Sequence, residues 1–221
     1  MLAKHLMDTS LTLHSADGTR LAAHYWPTDA PSAAVVIVPG LGSRKEHHAD
    51  FAELCHDAGL AALTLDVRGH GASAGTLGPG AIDDVIAAVG ALHDRGHTKI
   101  GLRGSSLGGF LVLAAAARSR RVDCVVAICP ARPEALAKRL GTDWPTLFPL
   151  IGAVSTRDGV ARGYWHATGD EQVPWAATFA LAQSTPQPRH LRIILGGHHQ
   201  SLQHDPVVLT ETRGFLCDHL A

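Results

Sequence analysis

A serine in a glycine-rich turn near the middle of the chain has the surroundings of a nucleophile. Residues 104–108 read Gly-Ser-Ser-Leu-Gly, so Ser106 has a glycine two positions away on each side. A serine that projects from a sharp strand-to-helix turn has a strained backbone and tolerates only small residues at those two positions. Ser105 fails this test, because its corresponding neighbours are Arg103 and Leu107. The pattern favours Ser106 as a nucleophile; the alternative is a glycine-rich helix start with a serine cap.

A serine hydroxyl is a poor nucleophile at neutral pH, so it needs a histidine base, and the histidine needs an acid that fixes its tautomer. In α/β arrangements these residues follow the chain order serine, acid, histidine. Asp170 fits as the acid, because it follows a predicted strand and Gly169, where the ligand-facing loops of parallel sheets lie. Its alternative role is to cap a helix predicted to begin near Pro174. Glu171 and Asp158 are weaker candidates.

Two adjacent histidines follow the last predicted strand. Residues 196–199 read Gly-Gly-His-His, which again places an imidazole at the carboxyl edge of the sheet. The residues themselves leave both His198 and His199 open as the base, with His199 favoured. The other one is then a polar loop residue in a chain that contains 15 histidines. Ser106, Asp170 and one of these histidines form a candidate catalytic triad.

An alternation of short apolar runs and amphipathic segments predicts the elements that position these residues. A β-hairpin is expected over residues 11–26, with its turn at Asp17-Gly18. The alternation that follows predicts a mostly parallel sheet with helices on both faces and the hairpin at one edge. The predicted strands are 33–38, 61–65, 99–102, 122–128, 164–167 and 191–195, and the predicted helices are 45–58, 82–95, 107–118, 175–183 and 207–219.

Length and composition narrow the class of protein. A chain of 221 residues with 46% hydrophobic and 18% charged residues is typical of one globular α/β domain. The net charge of −1 argues against a nucleic acid or an anionic membrane as the partner. The apolar runs are far shorter than the roughly 18 residues of a membrane span, and the N-terminal residues do not resemble a signal peptide. We therefore expect a cytoplasmic protein.

The sequence lacks the common motifs for metals and phosphate-containing cofactors. The four cysteines do not have the spacing of zinc ligands. Neither the phosphate-binding pattern G-x-x-x-x-G-K-[ST] nor the zinc pattern H-E-x-x-H occurs. Adjacent histidines rarely converge on one ion, so the pairs His47-His48 and His198-His199 do not indicate a metal. We predict no metal site and no cofactor.

The chain resembles the α/β-hydrolase superfamily, in particular small esterases and serine-aminopeptidase-like hydrolases. The resemblance covers nearly the whole chain and rests on residues 104–109, 169–174, 196–199 and 66–73. The last segment is similar to the family's D-x-R-G-H-G-x-S turn, whose role is structural, so His70 is left out of the catalytic set. The resemblance implies one α/β-hydrolase domain over residues 1–221, and the family's G-x-x-H pattern aligns the base with His199.

The resemblance also implies an oxyanion hole and a short cap. Residues 39–44 are similar to the family's H-G-x-x-G-S loop, with Pro39 in place of the usual histidine. Carried over, the backbone N–H groups of Leu41 and Leu107 would bind the oxyanion. Residues 131–162 fall where the superfamily inserts its cap. Trp144 and Phe148 could line an acyl pocket there or pack the cap onto the core.

Together these residues predict a carboxylesterase-like serine hydrolase whose partner is a small-molecule acyl substrate. Ser106, His199 and Asp170 would cleave small to medium acyl esters through an acyl-enzyme intermediate. The alternatives are a thioesterase, a peptidase or amidase, and a cofactor-free perhydrolase with the same triad. A non-catalytic ligand-binding protein on the hydrolase fold is a further alternative, from a different functional class.

Overall fold

The computed structural model describes residues 9–29, 32–140 and 159–221. Eight strands form one sheet in the order β1-β2-β4-β3-β5-β6-β7-β8. The strands are β1 (Thr9–His14), β2 (Arg20–Trp26), β3 (Ala33–Val38), β4 (Ala61–Leu65), β5 (Lys99–Ser105), β6 (Cys124–Ile128), β7 (Ala161–Ala167) and β8 (Arg189–Ile194). The α-helices of the described residues are α1 (Ala49–Asp57), α2 (Ala81–His93), α3 (Leu107–Arg118), α4 (Pro133–Leu140), α5 (Trp175–Gln183) and α6 (Pro206–Leu220).

The sheet is parallel except at the hairpin edge. β1 pairs antiparallel with β2, with Leu13 opposite Leu21, and β2 pairs antiparallel with β4. All other neighbouring strands run parallel. The predicted fold class, a mostly parallel α/β sheet with the hairpin at one edge, is confirmed.

Helices cover both faces of the sheet, and side chains alternate between two apolar layers. Val36 on β3 and Leu102 on β5 pack in the layer that contains α2 and α3. The alternate residues Val35 and Ile37 pack in the layer that contains α1 and α6. This alternation follows from the period of two along a strand, and burial on both faces explains why these strands are continuous apolar runs.

The helix predicted over residues 45–58 is divided in the structure. Lys45–His48 forms a 3₁₀ helix, and α1 begins only at Ala49. The backbone N–H of Lys45 donates to Asp66 Oδ1 at 2.7 Å, and its ammonium donates to Asp66 Oδ2 at 2.9 Å. These tertiary bonds hold the first turn to the end of β4, which no local helical pattern could reveal.

Strand β5 is longer than predicted, and this extension carries the chain up to the site. The prediction ended at Leu102, but β5 continues to Ser105. Arg103 pairs with Val126 and Ser105 pairs with Ile128 on β6. Residues 103–105 have a weak preference for strands, but β5 lies between β3 and β6, and pairing with these neighbours extends it.

The segment predicted as a cap begins with α4, whose Leu136 is buried in the layer of α2 and α3. Trp144 and Phe148 lie outside the described residues, so their predicted alternatives stay predictions. Among the described residues, none of the helices is both long enough and apolar enough to span a bilayer.

The turn formed by residues 66–73 is held by buried ion pairs. The carboxylate of Asp66 accepts hydrogen bonds from Lys45 and from the backbone N–H of Ala72 at 2.9 Å. Arg68 Nη2 donates to Asp84 Oδ1 on α2 at 2.7 Å, and its Nη1 donates to Asp17 in the hairpin turn. Arg68 thereby ties this turn to both the hairpin and α2.

A buried histidine predicts a loss of stability in mild acid. His48 is 1% exposed, and neither of its ring nitrogens has a hydrogen-bond partner among the described residues. Burial, with smaller contributions from Arg103 and His204, lowers the pKa of His48 to about 3. In the unfolded chain this imidazole binds a proton below its ordinary value of about 6.5. Acidification from pH 7 to pH 5 therefore favours the unfolded state by about 2 kcal/mol through this residue.

Urea unfolding at pH 7 and pH 5 measures this effect. His48→Leu should reduce the drop in the free energy of unfolding between the two pH values by about 2 kcal/mol. The control is His14→Leu on an exposed position of β1, which should leave the drop unchanged. An equal drop in wild type and His48→Leu would contradict the prediction.

Candidate active site

Ser106 lies in a strained turn between β5 and α3. Its backbone has φ 53° and ψ −116°, a conformation with positive φ that few residues other than glycine adopt. A Cβ on Gly104 would overlap the carbonyl group of Gly108, and a Cβ on Gly108 would overlap the carbonyl oxygen of Val38. The two glycines of the predicted pattern are therefore required by close backbone contacts, and the turn exposes the Ser106 side chain at the end of the strand.

The structure brings Ser106, His199 and Asp170 together. His199 Nε2 lies 2.7 Å from Ser106 Oγ, and His199 Nδ1 lies 2.7 Å from Asp170 Oδ2. Because an ionised carboxylate can only accept, Nδ1 carries the proton. Nε2 is then free to accept the proton of the serine hydroxyl, which is the tautomer that a general base needs.

The two adjacent histidines have different surroundings. The side chain of His199 is 8% exposed and lies between the serine and the aspartate. His198 is exposed, and its backbone N–H donates to Ser201 Oγ at 2.9 Å. The sequence favoured His199 but left His198 open, and the geometry places His199 against Ser106.

Three strand ends explain why residues distant in sequence meet. Ser106 follows β5, Asp170 follows β7 and His199 follows β8, and these strands run parallel with β6 between β5 and β7. The loops after β7 and β8 are bonded to each other, because the N–H of Gly169 donates to the Gly196 carbonyl at 3.0 Å. Their shared edge is where parallel α/β sheets bind ligands.

The carboxylate of Asp170 is buried and fully engaged. Its Oδ1 accepts from the backbone N–H groups of Gln172 and Val173, both at 2.9 Å. Burial alone would raise the pKa of Asp170, but the hydrogen bonds from Val173 and His199 outweigh it and hold that pKa below its ordinary value. Asp170 is therefore a carboxylate at neutral pH and can stabilise a positively charged His199.

The other interpretations of this acidic segment differ from the structure. Helix α5 begins at Trp175 with Pro174 at its N-cap position and no side-chain cap bond, so Asp170 does not cap it. Glu171 is exposed. Asp158 lies outside the described residues.

A tight turn presents a backbone amide near Ser106. The N–H of Ser43 donates to the carbonyl of Gly40 at 3.1 Å, and Gly42 has φ 76°, as in a type II turn. A Cβ on Gly40 would lie 3.4 Å from the Cβ of Ser106. Leu41, the next residue, is therefore close to Ser106. Pro39, which stands in place of the family's usual histidine, precedes the turn.

The backbone N–H groups of Leu41 and Leu107, the two predicted oxyanion donors, have no hydrogen-bond partner among the described residues. Leu107 is the first residue of α3, whose initial N–H groups have no partner within the helix. Leu41 lies outside the helices and strands, and no carbonyl of the described residues accepts a hydrogen bond from its N–H.

Two residues that the sequence did not indicate lie close to the triad: Gln203 bonds the end of strand β5, and His166 contacts Asp170. Gln203 accepts a hydrogen bond from Ser105 Oγ through Oε1 at 2.7 Å and one from Arg103 Nη2 through its carbonyl at 3.1 Å. These bonds connect the segment after His199 to the strand that carries the nucleophile. His166, four positions before Asp170, has Nε2 3.2 Å from Asp170 Oδ2. Its only sequence signal is a histidine at the end of a buried strand.

One buried cluster of described residues has the ligand types of a metal site. Single donor atoms of Cys129, His166 and Asp170 lie within 4.8 Å of one another. However, His166 Nε2 lies 3.0 Å from the Val173 carbonyl, and Asp170 Oδ2 already bonds His199. Burial raises the pKa of the Cys129 thiol to about 12, so the thiol is protonated at neutral pH in the metal-free protein. We interpret this cluster as a set of hydrogen-bonded side chains that supports Asp170.

The parallel sheet, the hairpin edge and the strained serine turn define an α/β hydrolase. The chain matches the family described as serine aminopeptidase, S33, over residues 29–154, and it belongs to that family.

Curated relatives match over part of their length. A polyketide transferase, grgF, from a Penicillium species is 29% identical over 141 residues, which are 59% of this chain and 47% of the relative. A thiohydrolase of Eupenicillium brefeldianum is 28% identical over 130 residues, which are 55% and 42%. The chain therefore matches less than half the length of these curated relatives.

Solved structures match over nearly the whole chain. The α/β hydrolase GrgF from Penicillium sp. superimposes with a TM-score of 0.82 at 20% identity, covering 97% of this chain and 99% of that one. Est1E from Butyrivibrio proteoclasticus with bound ferulic acid has a TM-score of 0.77 at 18% identity and covers 95% and 99%. At these identities the similarity establishes the fold.

Proposed function

We propose that this hydrolase cleaves small to medium acyl esters through a serine acyl-enzyme intermediate. The observation that carries the proposal is the continuous chain of two 2.7 Å hydrogen bonds from Ser106 Oγ through His199 to Asp170. The chain has the proton arrangement of a nucleophile, a base and an orienting acid.

In the first step, Ser106 Oγ attacks the carbonyl carbon of the ester, and His199 Nε2 takes the hydroxyl proton. Asp170 stabilises the resulting imidazolium and remains ionised. His199 then gives the proton to the leaving alcohol as the carbon–oxygen bond breaks, which leaves the acyl group on Ser106. Water, deprotonated by the same imidazole, releases the carboxylic acid and restores the serine.

The negative oxygen of the tetrahedral intermediate would be bound by the backbone N–H groups of Leu41 and Leu107. The N–H of Leu41 belongs to the second residue of the type II turn over residues 40–43, and the N–H of Leu107 opens helix α3, so both lie on backbone next to Ser106. Each donor of this kind contributes about 3 kcal/mol of transition-state stabilisation. Backbone donors need no reorganisation during the reaction, and the helix N-terminus adds a favourable dipole.

Thioester cleavage is the second candidate, and the similarity to a thiohydrolase favours it. The same three residues would serve both reactions, because each forms an acyl-serine and differs only in the leaving group. Est1E binds ferulic acid, which has a carbonyl group, and another relative is a polyketide transferase. The partner in each case would be a small acyl compound.

A fluorophosphonate probe tests the proposal directly. Folded wild-type protein should gain the mass of the phosphonyl group on the peptide that contains Ser106, because only an activated serine reacts readily. Boiled protein is the control. The absence of labelling on folded protein would contradict the proposal and favour a ligand-binding protein on the hydrolase fold. A panel of p-nitrophenyl esters, acyl thioesters, aminoacyl amides and a perhydrolysis assay then ranks the substrate classes.

A further inference from the structure

His166 lies next to the acid of the candidate triad, near the same carboxylate oxygen that bonds His199. It is the penultimate residue of β7 and is completely buried. Its Nδ1 lies 2.7 Å from Thr178 Oγ1 on α5. Its Nε2 lies 3.0 Å from the Val173 carbonyl oxygen and 3.2 Å from Asp170 Oδ2. Both ring nitrogens are therefore engaged.

These partners assign the tautomer of His166. The carbonyl of Val173 and the carboxylate of Asp170 can only accept, so Nε2 carries the proton. Its N–H donates to the Val173 carbonyl and lies next to Asp170 Oδ2, at an N···O distance of 3.2 Å. Nδ1 then accepts the hydroxyl proton of Thr178. Burial lowers the pKa of His166 and outweighs the opposing bond to Val173, so the ring is neutral at neutral pH.

The neutral N–H of His166 adds a polar contact to the hydrogen-bonded carboxylate of Asp170. Oδ1 accepts from the backbone N–H groups of Gln172 and Val173, and Oδ2 accepts from His199 Nδ1 with His166 Nε2 3.2 Å away. These contacts oppose rotation of the carboxylate away from His199. The other titratable group facing His166 is Cys129, which follows β6 and stays a neutral thiol.

We propose that His166 is a positioning residue that holds the Asp170 carboxylate in the orientation that His199 requires. The inference rests on the proposed function, because its kinetic effect passes through the triad. It predicts that the donor at Nε2 matters, and that the effect of losing it disappears when Asp170 is no longer a carboxylate.

The kinetic test compares His166→Leu with His166→Gln, whose amide N–H can reach the position of Nε2. We expect His166→Leu to lower kcat about 10- to 100-fold with KM little changed, as loss of a supporting hydrogen bond to a catalytic group does. His166→Gln should recover most of that loss. In an Asp170→Asn background, His166→Leu should lower kcat less than about threefold, since coupled residues are not additive.

His97→Leu is the matched control. His97 is as buried as His166, and its Nε2 lies 2.8 Å from the Tyr25 hydroxyl. It precedes the start of β5, whereas Ser106 follows the other end of that strand. The His97→Leu variant should be less stable than the wild type and have the wild-type kcat. Folded His166→Leu with wild-type kcat, or an equal loss with and without Asp170→Asn, would overturn the proposal.

Histidine ¹⁵N NMR of the wild-type protein tests the geometry without activity or mutation. At neutral pH, His166 should be protonated at Nε2 alone, and it should gain a second proton at a lower pH than an ordinary imidazole, because burial lowers its pKa. A His166 protonated at Nδ1 at neutral pH would overturn the proposal even if Ser106 is labelled. Failure of labelling with the expected spectrum would instead refute the proposed function alone.

Discussion

Ser106→Ala should reduce the turnover of a short p-nitrophenyl ester by about 10⁶-fold in kcat, to the level left by binding and the oxyanion hole. The variant removes the atom that attacks the carbonyl, and no described neighbour can replace it at His199. Fluorophosphonate labelling should disappear with it. Activity within tenfold of wild type would show that Ser106 is not the nucleophile.

Ser105→Ala is the matched control, because the two serines are adjacent. Ser105 is buried and donates to Gln203 Oε1 at 2.7 Å, whereas Ser106 faces His199. Removing the Ser105 hydroxyl leaves the half-buried amide oxygen of Gln203 without its donor, which costs about 0.5–1.5 kcal/mol of stability. Labelling at Ser106 should persist in this variant, so the pair separates loss of the nucleophile from damage to the turn.

His199→Ala should lower kcat by about 10⁴- to 10⁶-fold, whereas His198→Ala should leave kcat within about threefold of wild type. The two variants delete the same side chain at neighbouring positions of one loop. His199 contacts both Ser106 and Asp170, while His198 is exposed and uses only its backbone near Ser201. Steady-state kinetics on the same ester measures both.

The outcome for the histidine pair also tests the backbone of the loop. Gly196 and Gly197 both have positive φ, so the loop path does not depend on the His198 side chain. A large loss in His198→Ala with an active His199→Ala would reverse the assignment. Comparable losses in both would indicate that the loop itself, and not one imidazole, is required.

Local sequence patterns were sufficient for much of the fold. The apolar run of β3 and the helix α5 were predicted with the bounds that the structure has. Their signals are local, since a strand buried on both faces is apolar throughout and a helix start follows a proline. The C-terminal end of β5 and the start of α1 differed from the prediction, because pairing with β6 and bonds to Asp66 decide them.

The candidate site divides in the same way. The glycines around Ser106 are a local requirement, because the turn brings its own backbone into contact, and they are therefore visible in the sequence. The sequence favoured His199 as the base and Asp170 as its acid but left His198 and a helix cap open as alternatives, and the contact of His166 with Asp170 appeared only in the tertiary structure. The physical reason is that these hydrogen bonds join the ends of different strands, and the direction in which each loop turns depends on the loop packed beside it.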